Sequence, residues 1–211
     1  PLKRKPSLNK LDLLITERCN LACVHCHYEA SPQRTLDLPT SKMLDLIAES
    51  VDLGAVGIDI CGGEPLLHPG LKEVFRFAGP KLDLKLATNG TLIDEDWASF
   101  LAEFNPFVQI SLDGPDEATH DAIRGRGSYK RVMQNLRRLP EDLSSPVQVQ
   151  CTVTRRNQDR LEELVRELQK TRVGWMSFSF YVPRANDDGP DAWPDNEARV
   201  PAVREVMRLR N

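Results

Sequence analysis

Residues 17–27 read ERCNLACVHCH and bring Cys19, Cys23, Cys26 and His27 together in one short stretch. Three of the chain's five cysteines stand there. Thiols so crowded can seed a disulfide, form a redox pair, or ligate zinc or an iron–sulfur cluster. An odd cysteine count with three in one cluster makes a poor disulfide framework for a 211-residue chain. It points instead to a reducing compartment, the cytoplasm. A thioredoxin-type C-x-x-C would stand near a helix start without a third cysteine upstream. Zinc needs a closed fourth ligand, which His27 could supply, although four ligands so close in sequence form a strained cage. A [4Fe–4S] cube suits three thiolates differently. It has four irons, so one is left without a protein ligand and can take the amino and carboxylate groups of a small molecule.

The elements that must position this stretch are legible as periodicities. Alternating runs mark strands at 11–16, 57–62, 83–89, 107–113, 147–153 and 176–182. Amphipathic patterns mark helices at 40–54, 71–79, 94–104, 129–139 and 160–171, with Thr40 and Asp94 as N-terminal signals. Strands alternating with helices imply parallel pairing through right-handed crossovers. Six strands are too few for a closed eight-stranded barrel. The expected fold is α/β, a partial (β/α)6 barrel in which an open parallel sheet carries outer helices.

Strands covered on both faces normally read as continuous apolar runs, but these alternate. One face carries Val108, Ile110 and Leu112, then Val147, Val149 and Val153, then Met176, Phe178 and Phe180. The other carries Asp59, Lys85, Gln109, Ser111 and Asp113, then Gln148, Gln150 and Thr152, then Ser177, Ser179 and Tyr181. On a curved sheet the second set lines a polar lumen suited to a hydrophilic ligand; on a flat sheet it is a wetted face. The turns CGGEP (61–65), TNG (88–90) and LDG (112–114) follow strands, where open α/β folds place their ligands.

Composition narrows the function classes. A hydrophobic fraction of 40% and a charged fraction of 28% fit one globular domain with a substantial core. A net charge of −3 favours neither nucleic acid nor an anionic membrane surface. No apolar run approaches the ~20 residues of a membrane span, and Lys3-Arg4-Lys5 lacks the apolar stretch of a signal peptide. The chain begins at Pro1 and stops at Asn211 on a helix-like run, so further residues are expected at both ends. The expected division is a core at 8–183 and a C-terminal loop and helix at 184–211 that opens a further extension. Within it, the Pro- and Asp-rich segment 183–201 reads as a loop, either a substrate lid or a linker.

Taken in order, these motifs resemble the radical S-adenosylmethionine (radical SAM) enzymes, whose signature is C-x3-C-x-Φ-C with Φ usually aromatic. Here His25 occupies the Φ position between Cys23 and Cys26. The resemblance covers about residues 11–183. It implies a [4Fe–4S] cluster on Cys19, Cys23 and Cys26, with S-adenosylmethionine on the open iron. By the same resemblance, Gly62, Gly63 and Glu64 would hold the methionine amino group and Arg124 its carboxylate. Ser111 and Asp113 would approach the ribose, and Asn89 would line the pocket. Thr152 and Val153 would lie beside the adenine, with Tyr181 and Val182 at the sixth-strand edge. The implied chemistry is reductive cleavage to a 5′-deoxyadenosyl radical that abstracts hydrogen from a polar substrate, whether nucleoside, sugar or peptide. The electron would come from a donor such as flavodoxin or ferredoxin. The alternative from another class is a zinc-stabilised β/α binding domain without catalysis.

The remaining residues have quieter readings. Cys61 fills a strand end on the lumen face, and Cys151 packs in the core. With no cysteine after Cys151, one cluster is expected within this chain. His27 should stand beside the cluster, His68 and His120 carry no assigned role, and Glu29 is a surface residue. Trp97 and Phe100 should be core, and Trp175 and Trp193 should pack on the solvent side.

Overall fold

The computed structural model describes residues 8–139, 147–182 and 199–209. Six parallel strands form one sheet in sequence order: β1 (Lys10–Leu14), β2 (Gly57–Cys61), β3 (Asp83–Thr88), β4 (Phe107–Ser111), β5 (Gln148–Val153) and β6 (Trp175–Phe180). β1 and β6 are the two edges, so the sheet is open. Outer helices are α1 (Thr40–Asp52), α2 (Leu71–Ala78), α3 (Glu95–Phe104), α4 (Glu117–Arg124), α5 (Ser128–Leu136), α6 (Leu161–Leu168) and α7 (Arg199–Arg208). All six expected strands are present, and the fold is the expected open α/β sheet.

The period-2 pattern explains the layering. In β3, Leu84 and Leu86 are buried under the helices while Lys85 and Ala87 stay half-buried on the opposite face. In β5, Val149, Cys151 and Val153 are fully buried and Gln148, Gln150 and Thr152 are not. Cys151 is therefore core, as expected. Between α2 and α3 the rings of Phe75, Phe100 and Phe104 stack with centroids 4.8–6.0 Å apart, an aromatic contact worth more than its area alone. Trp97 is half-buried rather than core: it meets Phe100 edge-on, with the Lys72 ammonium 4.8 Å from its ring.

Several local expectations need correction. Asp94 does cap α3, its Oδ1 accepting from Trp97 N at 2.8 Å. Thr40, however, is the first residue of α1; Pro39 precedes it and no side chain caps that helix. α4 was not anticipated: its cap, Asp116, is embedded in the turn-like run DGPDE, and only eight residues follow before Gly125. The end of the expected 183–201 loop is already helical in α7, whereas residues 183–198, Trp193 among them, lie outside the described residues. Trp175 is exposed at the start of β6, as its solvent-side reading required.

Candidate active site at the carboxyl ends of the strands

Two chain segments close over the carboxyl ends of the strands. The first, residues 15–39, leaves β1 and carries the three cysteines. Its base is fixed by close main-chain approach: Gly63 N donates to Thr16 O at 2.7 Å and Glu64 N to Arg18 O at 2.8 Å. A Cβ on Gly63 would sit 2.2 Å from Arg18 O. One on Gly62, whose φ is +148°, would sit 2.6 Å from Thr16 O. Only glycines permit this stitch. Its two arms are then tied together, since Arg18 reaches Asp37 through Nε at 2.9 Å and Nη2 at 2.7 Å. Thr16 Oγ1 adds a third bond to the same carboxylate at 2.6 Å. Burial works against ionising Asp37, but these donors outweigh it and hold its pKa below the usual carboxylate value.

The second segment runs from the end of β4 through α4 to the start of α5. Its centre is Asp113, which has no exposed surface. Oδ2 accepts from His25 Nε2 at 2.7 Å and from Arg124 Nε at 2.5 Å, and Oδ1 accepts from Thr152 N at 2.8 Å. Burial favours the neutral acid, yet Arg124 and His25 outweigh it and hold the carboxyl far below its ordinary range. The Asp113 backbone is held as well: its N–H donates to His120 Nδ1 at 3.0 Å, and its carbonyl accepts from Asn157 Nδ2 at 2.8 Å. One buried carboxylate thus joins the cysteine loop, the end of α4 and the end of β5. The loop also docks on α4 directly, through Val24 N donating to Ile123 O at 3.0 Å.

Between the two segments and the sheet lies a cavity of about 320 Å³. Cys19, Cys23 and Cys26 line it as free thiols. Gly62 and Gly63 line it from β2, Asn89 from β3, Ser111 from β4, Arg124 from α4 and Thr152 from β5. Burial pushes the Cys19 thiol up to about 11 and raises Cys23 as well. Leu21 N and Asn89 Nδ2 stand 3.4 and 3.8 Å from Cys19 Sγ. Cys19 therefore already carries N–H contacts of the kind that tune iron–sulfur clusters.

The sequence model of the radical SAM superfamily matches residues 13–168, most of the chain. The chain belongs to the radical SAM superfamily. Among curated relatives, the mycofactocin maturase MftC of Mycobacterium tuberculosis (strain CDC 1551 / Oshkosh) is 33% identical over 183 residues, covering 86% of this chain and 46% of that protein. The AdoMet-dependent heme synthase of Methanosarcina barkeri is 32% identical over 184 residues, covering 84% and 52%. This chain thus spans about half the length of these relatives. Among solved structures, Streptococcus suis SuiB bound to S-adenosylmethionine superposes with a TM-score of 0.80 at 16% identity, covering 96% of this chain and 47% of SuiB. SuiB bound to its precursor peptide SuiA gives 0.72 at 18% identity, covering 83% and 40%. At that identity the likeness establishes the fold.

As a member of this superfamily of enzymes, the protein uses a [4Fe–4S] cluster and S-adenosylmethionine as cofactors. The residues at the cavity fit them. Among the described residues, no three His, Cys, Asp or Glu side chains gather around one point as a single metal ion requires. Cys19, Cys23 and Cys26 all line the one cavity, and three thiolates are a ligand set that leaves one iron of a cube open.

The sequence-derived site residues divide into two groups. Cys19, Cys23, Cys26, His25, Gly62, Gly63, Asn89, Ser111, Arg124 and Thr152 line the cavity. Glu64, Asp113, Val153, Tyr181 and Val182 do not. Glu64 is fully buried behind the wall, accepting from Asn89 N and Thr88 Oγ1 at 2.7 Å and from Leu66 N at 3.1 Å. Burial raises its pKa against those three donors. Asp113 stands behind Arg124, and Val153 faces the helices. Tyr181 is buried with its ring 5.8 Å from that of His27, while Val182 points to solvent. Cys61, Gln109, Tyr28 and His27 also line the cavity; Gln109 and Cys61 carried a signal in their lumen-face alternation. Arg18, Asp37, His120 and Asn157 support the site and were missed. They lie in loops or in the unanticipated α4, where no periodicity marks a facing side.

No helix among the described residues is long and apolar enough to cross a membrane.

Proposed function

We propose that residues 8–183 form the catalytic core of a radical SAM enzyme in which Cys19, Cys23 and Cys26 hold the cluster. One observation carries the reading: three thiols, two backbone-exposing glycines and a buried arginine converge on one cavity at the carboxyl ends of parallel strands. When bound, the cofactors supply one-electron reductive cleavage of S-adenosylmethionine to a 5′-deoxyadenosyl radical, which abstracts hydrogen from a polar substrate (nucleoside, sugar or peptide).

The chain's own groups bind and orient. The backbone of Gly62 and Gly63 is open to an amino group. Arg124, its Nε fixed by Asp113, is held charged beside the cavity to meet a carboxylate. Ser111 offers a hydroxyl to the ribose, Asn89 lines the pocket, and Thr152 stands beside the adenine. His25, Glu64 and Asp113 hold these groups in place, and Tyr181 packs behind the cavity against the ring of His27. Electrons come from a donor such as flavodoxin or ferredoxin in the cytoplasm.

Anaerobic reconstitution tests the reading. Wild type is expected to take up about four irons per chain and Cys23→Ala far fewer. Tight zinc binding with no iron uptake would overturn it.

A further inference from the structure

Below the cavity, the lumen face of the sheet changes character from one edge to the other. On the β1–β3 side it is charged but self-compensated. Asp59 Oδ2 lies 2.7 Å from Lys10 Nζ and 3.4 Å from Lys85 Nζ, and Asp12 Oδ1 lies 3.6 Å from Lys10 Nζ, so two carboxylates offset the two lysines. On the β5–β6 side it is uncharged and regular. Gln150 Nε2 donates to Ser179 Oγ at 2.9 Å, and Gln148 Nε2 donates to Ser177 Oγ across the same strand pair. The Gln150 amide nitrogen also contacts Cys151 O at 3.3 Å.

Each Gln–Ser couple spends an amide N–H and a hydroxyl lone pair. It leaves a glutamine carbonyl as acceptor and a serine O–H as donor. The two couples are two residues apart on both strands, a spacing of about 6.6 Å at the rise of a parallel strand. An extended peptide presents an N–H and a C=O to one side from every second residue, at that same repeat. The ladder also leads somewhere, since Thr152 continues this face of β5 into the cavity lined by the three thiols. The upper couple is exposed and lies at the open β6 edge, so a chain can reach it.

We propose that Gln148, Gln150, Ser177 and Ser179 form a binding ladder for the backbone of an extended peptide substrate, read through uncharged hydrogen bonds and directed toward the cavity. The inference rests on the reading of that cavity as the S-adenosylmethionine site. The two-residue repeat selects the peptide from the polar substrate classes, and among the described residues of this face the paired lysines leave no free cation for phosphorylated nucleosides or sugars.

Binding can be read without reduction or turnover. The probe is a pool of dye-labelled heptapeptides with acetylated N-termini and amidated C-termini, followed by fluorescence anisotropy on the reconstituted protein. Saturable binding is expected, displaced by unlabelled capped peptides but not by GTP or glucose 6-phosphate. The double variant Gln150→Leu/Ser179→Ala should weaken binding about tenfold, the effect of one to two lost hydrogen bonds. Ser179→Thr, which keeps the hydroxyl, should stay within about twofold, and thermal melts establish that each variant is folded. Three results overturn the proposal: displacement by the phosphates, absence of peptide binding, or unchanged affinity in the double variant. Failure to form 5′-deoxyadenosine while peptide still binds would count against the cavity reading alone.

Discussion

The two segments that close the cavity are held by different physics. The cysteine loop, residues 15–39, is fixed by main-chain stitches to Gly63 and Glu64 and by an Arg18–Asp37 pair about one-third exposed. The segment after β4 is fixed by Asp113, a carboxylate with no exposed surface that serves His25, Arg124 and Thr152 together. The first depends on backbone proximity and the second on a buried charge network. The difference teaches where each can fail: a methyl group is enough to disturb the loop, whereas the network fails when one partner leaves a charge stranded.

The largest expected effect is therefore on the buried side. Asp113→Leu leaves the Arg124 guanidinium without its carboxylate and should cost about 3–5 kcal/mol in denaturant titration. Gly63→Ala follows, because its Cβ would press on the Arg18 carbonyl. About 2–3 kcal/mol and a marked fall in iron uptake are expected; near-normal values for both would show that the stitch is not close. The third prediction is a pH dependence that His120 gives the network side. Burial first, then the charge of Arg124, holds His120 at about 4 rather than near 6.5. His25 adds to that lowering, and Asp113 and Asp121 oppose it. The unfolded chain thus binds the extra proton first as pH falls. Stability is fully present above about 6.5 and is lost between there and about 4, by up to about 3 kcal/mol. His120→Asn should flatten that slope in urea titrations at pH 7.5 and 5.5. The smallest effect belongs to the loop's ion pair. Arg18→Met should cost about 1 kcal/mol, with a difference from wild type that shrinks in salt, as expected of a partly exposed pair.

The sheet was legible because six short alternating runs survive in a parallel fold whose lumen is polar. The cysteines, glycines, Asn89, Ser111, Arg124 and Thr152 were legible through spacing and resemblance, and all of these line the cavity. Asp113 and Tyr181 were harder. Each lies past its strand's last residue, Ser111 or Phe180, where alternation no longer says which way a side chain faces. Val153 carried two conflicting signals: its position in the alternation put it on the helix face, where it sits buried, while resemblance alone drew it to the adenine. α4 was hidden because Asp113-Gly114-Pro115-Asp116 reads as a turn, and the cap that starts the helix is its last residue. His120 and Asn157, which hold the Asp113 backbone, have no periodic or motif signal at all; His120 acts from within the hidden α4 and Asn157 from a segment 44 residues away.

The central claim is that three loop thiols and the strand-end wall opposite them make one S-adenosylmethionine-cleaving site. Its most direct test is 5′-deoxyadenosine formed when the anaerobically reconstituted protein is reduced with dithionite in the presence of S-adenosylmethionine. Wild type is expected to form it and Cys26→Ala to form none. Equal amounts from both proteins, or none from a wild-type protein carrying its full iron, would contradict the account.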